Sequence, residues 1–223
     1  MEQMQILLAI LVLLPFVSAL LLALCGSDRM RRLIVYGSAG VLMISAVAFA
    51  VCFFSGENLQ LRFLQSGGII DHTMLALEAG FAVLITVLSI KYRRYYVAVL
   101  SIVQTVLTFV YELGGYKPAV QPYNLFTDQL TVIMVLIIAV VGTLITVYAV
   151  GYMRDYHNHH KEYTDRRRFF FAMLYVFLGA MFGLVLSNSL LWLYFFWEIT
   201  SLVSFLLIGY TRTKEAVQNS FRA

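Results

Sequence analysis

Charged side chains are scarce in this 223-residue chain: Asp, Glu, Lys and Arg make up 13% of it, about half their share in a soluble domain. Hydrophobic residues make up 61%, and a soluble fold of this size has no way to cover so much apolar surface. Cysteine is nearly missing too. The two present, Cys25 and Cys52, stand at the ends of apolar runs without metal-ligand spacing and read as small apolar residues. There is no Walker loop, no dinucleotide fingerprint and no C-x-x-C pair, and no pair of mid-span histidines to hold a haem. No cofactor is therefore expected in the chain itself, and redox chemistry is expected to lie elsewhere.

What the sequence does have is long apolar blocks, and crossing a bilayer core of about 30 Å takes about 20 such residues in a helix. Seven blocks stand out, at about 4–25, 32–54, 74–90, 95–113, 127–152, 169–187 and 188–210. The fold class is thus an all-α, polytopic membrane protein of about seven transmembrane helices. Three regions follow: an N-terminal hairpin at 1–54, a surface segment with an extra hairpin at 55–123, and a region from 124 to 223. The stretch Glu57 to Thr73, with Gly67-Gly68, is too polar to span and is expected along the membrane surface. The N-terminus begins Met1-Glu2-Gln3 without a basic n-region, so its first block reads as a retained helix.

The basic residues alternate with these blocks. Arg29, Arg31 and Arg32 follow the first, and Lys91, Arg93 and Arg94 follow the third. Arg154, Lys161, Arg166, Arg167 and Arg168 follow the fifth, and Arg212, Lys214 and Arg222 follow the seventh. Only Arg62 and Lys117 fall on the opposite side. Cytoplasmic loops carry the Lys/Arg excess, which predicts an outside N-terminus, a cytoplasmic C-terminus and a cell inner-membrane location. The net charge of +4 then reflects topology and lipid headgroups rather than nucleic acid, and Arg166-Arg167-Arg168 reads as a membrane anchor.

Glu198 is the residue most in need of explanation, because it sits at the centre of the last block. A charge there costs roughly 2.5–3.5 kcal/mol on insertion scales and normally marks an ion or proton path with a partner nearby. Helical spacing puts Tyr194 and Ser201 on its face, with Ser204 flanking, a polar stripe able to hydrogen-bond the carboxyl. A purely structural interhelical hydrogen bond is the competing reading. Glu78, Glu112 and Asp128 fall near the outer ends of their helices and read as solvated helix ends, although they are possible outer-side acids of a path. Gln104, midway along the fourth block, reads as interhelical glue. His157, His159 and His160 lie in a polar stretch that reads as a solvated loop, and no metal site is expected.

From Asn124 onward the residues carry a resemblance. Leu125-Phe126-Thr127-Asp128-Gln129-Leu130-Thr131, Gly151-Tyr152-Met153-Arg154, Leu184-Val185-Leu186-Ser187-Asn188-Ser189-Leu190-Leu191 and Trp197-Glu198 followed by Ser201 to Gly209 come in one order. That order resembles the antiporter-like subunits of respiratory complex I, of multisubunit Na+/H+ antiporters and of energy-converting hydrogenases. The resemblance implies proton or sodium translocation, with Glu198 as a proton-channel carboxylate coupled to a lysine on a later helix. Such subunits usually have about fourteen helices, and neither that lysine nor the second repeat occurs in these 223 residues. A split or truncated subunit is therefore expected, with another chain supplying the missing helices and lysine. Lys91-Tyr92-Arg93-Arg94, Gln104 and Tyr111-Glu112 in the extra hairpin look more like large subunits of energy-converting [NiFe] hydrogenases. The implied role is a non-redox membrane subunit of an oxidoreductase complex, with Fe–S clusters and NiFe or flavin only in partner subunits. A complex I or Mrp-type antiporter subunit, and a purely structural membrane subunit, are the alternatives.

Overall fold

A computed structural model describes residues 2–56, 61–65, 69–93, 95–113 and 123–222. Eight helices and two short strands occur among them: α1 (Glu2–Leu24), α2 (Asp28–Phe54), β1 (Leu61–Gln65), α3 (Ile69–Lys91), α4 (Tyr95–Leu113), β2 (Tyr123–Thr127), α5 (Gln129–His159), α6 (Arg167–Leu186), α7 (Leu190–Ile208) and α8 (Lys214–Ser220). Six of the helices (α1, α2, α3, α5, α6 and α7) are long and apolar enough to cross a membrane, and α4 supplies a shorter apolar helix over Tyr95–Tyr111. The chain is an all-α, multi-pass membrane protein. Large apolar side chains such as Leu20, Ile44 and Tyr148 stand exposed around the bundle, where lipid rather than water meets them.

Packing is organised around α6, which contacts α1, α5 and α7, while α2 bridges α1 and α5. In lipid, helices gain by close van der Waals approach rather than by hiding from water, so small residues mark the seams. Gly179 and Gly183 form such a seam, one turn apart on α6. A Cβ on Gly179 would lie 2.9 Å from the Phe16 ring of α1, and one on Gly183 would lie 2.4 Å from the Phe196 ring of α7. The α3–α4 hairpin joins this body through contacts between α3 and α7, where Phe81 and Phe195 meet edge-on at 5.6 Å.

Several local expectations are corrected. β1 falls inside the stretch read as a surface segment and pairs antiparallel with β2, Arg62 opposite Phe126; residues 57–60 and 66–68, with Gly67-Gly68, lie outside the described residues. The last two spans do not meet head to tail at Ser187-Asn188. That junction leaves the helix and is tied to β2 instead: Leu125 bridges Ser187, the Asn188 amide donates to the Asn124 carbonyl at 2.8 Å, and the Asn188 side chain donates to the Tyr123 carbonyl at 2.9 Å. α5 begins at Gln129 with Asp128 as its cap and continues to His159. At 1.5 Å per residue its 31 residues run about 46 Å, longer than the hydrocarbon core. No Gly or Pro interrupts Tyr152–His159, and His157 and His159 in the last turn suit the negative end of the helix dipole. The three histidines are thus the end of a helix and its cap, not a free loop.

Candidate functional site

α7 offers one face to α6 and the other to the α3–α4 hairpin, and Tyr194, Glu198 and Ser201 lie on the hairpin side. Glu198 is half-buried there. Its Oε1 accepts two hydrogen bonds, from the Tyr194 hydroxyl one turn earlier at 2.5 Å and from the Gln104 side-chain amide of α4 at 2.7 Å. Its other oxygen, Oε2, is buried and has no hydrogen-bond partner among the described residues. A buried carboxyl oxygen in that condition is costly. The arrangement assigns the two oxygens different roles: Oε1 is saturated by donors, and Oε2 is where a proton would sit.

A cavity of about 480 Å³ opens beside this carboxyl, lined by Gln104, Tyr194, Glu198, Ser201, Ser89 and Ser220 together with apolar neighbours such as Phe205 and Phe221. Apart from Tyr194 and Trp197, its α7 residues lie at or beyond Glu198 toward the C-terminal end of the helix, and α8 closes it. The cavity therefore lies on the side of Glu198 that carries the Lys91–Arg93 turn and the α7–α8 turn. An aromatic cluster stands at that end, with Phe205 and Phe221 at 4.9 Å, Tyr92 and Phe221 at 5.5 Å, and Tyr92 and Phe205 at 6.5 Å. In the opposite direction the helix runs into an apolar core of Leu191, Trp192, Phe195 and Phe196.

The other residues singled out from the sequence separate into distinct environments. Tyr194 bonds Glu198, and Ser201 lines the cavity, but Ser204 turns its hydroxyl back to the Thr200 carbonyl of its own helix at 2.8 Å. Glu78 is not a solvated helix end: it is 3% exposed, on the helix of the hairpin that packs against α7. The carboxyl is buried because α3 begins at Ile69, five residues earlier than the apolar block suggests, which carries Glu78 well inside the helix. Asp128 is a helix end, capping α5 by accepting from the Thr131 amide at 2.8 Å and hydroxyl at 2.9 Å. The Thr131 amide bond holds its carboxyl below the usual range. Glu112 lies in the last turn of α4, and its side chain is outside the described residues.

Three residues of the site were harder to foresee. Gln104 is visible as a mid-span amide, but nothing in its local sequence says which helix it faces. Ser89 and Ser220 carry no signal at all, because serines at helix ends are common. No group of three or more His, Cys, Asp or Glu that could hold a metal ion occurs among the described residues. On the basic side, His157 Nε2 meets the Tyr210 hydroxyl at 2.7 Å, and burial pushes that phenol up. Asp165 receives the Arg167 guanidinium at 2.7 Å, which holds its carboxyl down to about 2.

Known proteins share parts of this chain. Residues 121–170 match the family model described as NADH-ubiquinone oxidoreductase (complex I), chain 5 N-terminus. A Na(+)/H(+) antiporter subunit A1 of Staphylococcus haemolyticus (strain JCSC1435) is 34% identical over 122 residues, covering 55% of this chain and 14% of that protein. The subunit A1 of Staphylococcus aureus (strain JH9) is 28% identical over 161 residues, covering 65% of this chain and 19% of that protein. The chain thus spans less than a fifth of the length of these relatives. Over the matched stretches it is similar to antiporter-like membrane subunits of the complex I and Mrp type.

Proposed function

We propose that this chain is an ion-translocating module of a multisubunit membrane assembly, with Glu198 as its proton-loading carboxylate. The observation that carries the reading is the asymmetry of that carboxyl. Tyr194 and Gln104 fix Oε1, while the buried Oε2 lacks a hydrogen-bond partner among the described residues and lies beside a cavity. Two donors converging on one oxygen disfavour a sodium ion at the same place, since a hard cation seeks several oxygen ligands. A proton needs only the free oxygen. Loading would come through the cavity, from the side the basic loops mark as cytoplasmic.

Release needs a counter-charge that favours the ionised form. Among the described residues no lysine or arginine lies midway along a spanning helix, so we assign the cation to another segment or chain. Other membrane subunits and peripheral redox subunits would be the partners, the latter carrying the Fe–S, NiFe or flavin groups, in an inner membrane. The parent assembly is read as an energy-converting hydrogenase on the residues of the α3–α4 hairpin. A Na+/H+ antiporter assembly is the second reading, favoured by the similarity to the Staphylococcus Na(+)/H(+) antiporter subunits A1. Glu198→Gln in the parent assembly tests the core of the proposal: transport should fall to background while the subunits still co-purify. Unchanged transport in that variant would leave Glu198 a structural hydrogen-bond acceptor and overturn it.

A further inference from the structure

The basic side of the bundle holds a second polar site, remote in sequence from Glu198 and built from four elements. Two clefts of about 360 and 620 Å³ lie side by side there and share Asp28, Arg31 and Arg167 as a common wall. Both volumes fall in the range of ordinary ligand sites. Six arginines line the pair (Arg31, Arg32, Arg154, Arg166, Arg167 and Arg168), against only Asp28 and Asp165. The two aspartates are already engaged. Asp28 pairs with Arg31 and, at 3.5 Å, with Arg167, and Asp165 pairs with Arg167 at 2.7 Å. A surplus of positive charge therefore faces the clefts.

Arg31 gives the clearest sign of a missing partner. It is 6% exposed, stacks over the Phe171 ring at 5.9 Å, and its Nε is buried without a hydrogen-bond partner among the described residues. A guanidinium has five donors in a fixed fork, and a buried one left partly unsatisfied is costly. Around it, the construction suits an anion. The first turns of α2 and α6 begin at Asp28 and Arg167, both lining the clefts. The α6 end is met by Asp165, which accepts from the Arg167 amide at 3.0 Å. The N-cap residue of α2 makes no side-chain cap bond, so the positive end of the α2 dipole adds to the arginine charge there. Gly26 lets Arg168 close the rim, since a Cβ there would come within 2.9 Å of its guanidinium.

We propose that these clefts bind the phosphate of an anionic lipid headgroup, with Arg31 as the inner ligand and Arg32 and Arg154 at the rim. Phosphate oxygens accept from several guanidinium donors at once, which carboxylates at hand do not supply. The lipid source follows from the lower wall. The smaller cleft descends to Tyr36, Val150, Gly151 and Phe171, and beside it Leu33, Tyr148 and Tyr152 stand exposed. Acyl chains would lie on that apolar surface, and the tyrosines match the aromatic belt of a headgroup region.

The test uses the full chain purified in neutral detergent and delipidated. Phosphatidylglycerol or phosphatidylcholine is added back, and retained lipid is counted by native mass spectrometry. The wild-type chain should keep phosphatidylglycerol selectively. The double variant Arg32→Gln/Arg154→Gln, altered only at exposed positions, should bind it roughly ten- to thirty-fold more weakly, as expected for two arginines at a membrane surface. Arg31→Gln should lose it altogether; if that variant fails to fold, the rim pair still decides. Equal retention of the two lipids, or unchanged phosphatidylglycerol binding in the rim variant, overturns the proposal. Complete displacement of the lipid by millimolar inorganic phosphate would assign the same arginines to free phosphate and overturn the lipid source.

Discussion

Two polar clusters cross the apolar interior of this molecule, and they differ in how completely they satisfy themselves. In the α1–α2–α5–α6 body, the Tyr175 hydroxyl meets Ser38 Oγ at 2.6 Å and the Val35 carbonyl at 3.1 Å. Thr143 and Thr146 return their hydroxyls to their own helix at Ala139 and Thr143. The cluster holds no charge, and Tyr175 is fully buried. Where α7 meets the α3–α4 hairpin, Glu78 is buried on α3, Glu198 accepts from Tyr194 and from a Gln104 amide that spans the helices, and a cavity opens beside Glu198. Hydrogen bonds inside membranes average well under a kcal/mol, so a neutral, closed cluster is adequate for holding helices together. An acid placed beside a cavity adds nothing to that task. The proposed transport role rests on that acid.

The largest expected contrast is between two single-site changes. Glu198→Gln should abolish ion transport by the parent assembly with little loss of stability, whereas Tyr175→Phe should leave transport intact and destabilise the fold by roughly 1 kcal/mol, read by denaturant titration in detergent. Transport lost in both would break the division between the clusters. Next, Gly183→Ala forces a Cβ into the Phe196 ring at the α6–α7 seam, and overpacking of this kind costs about 1–3 kcal/mol. Because the seam joins the two bodies, a melting curve that splits into two transitions would show that they unfold separately.

A smaller effect is expected at Gln104. Its replacement by Leu removes one of the two donors to Oε1 but leaves Tyr194, so transport should slow severalfold without stopping. A rate equal to wild type would make Gln104 glue alone. The smallest effect belongs to Asp165 on the basic side, half-exposed and paired with Arg167. Its carboxyl is held down to about 2, below its unfolded range near 3.9. The stabilisation is therefore complete above pH about 4 and is lost as pH falls toward 2. Thermal melts across that window should show a slight drop that Asp165→Asn removes. Solvent exposure keeps it small.

The apolar runs, their number and the alternation of arginines around them are sequence properties, because lipid demands that each spanning segment satisfy its own backbone and bear its own hydrophobicity. That is why the multi-pass fold, the central position of Glu198 and its i−4 partner Tyr194 can be read from residues alone. Asp128 was legible for the same reason: a cap is a contact between near neighbours in the chain. The tertiary structure decided what local patterns do not carry. It set Glu78 deep in the bundle instead of at a wet helix end, turned Ser204 away from the stripe, and ended a 31-residue helix on the histidines. It also brought Gln104 across 94 positions to the same carboxyl oxygen as Tyr194. Helix spacing fixes which residues share a face, but which face meets which neighbour depends on how side chains interdigitate across seams such as Gly183 and Phe196.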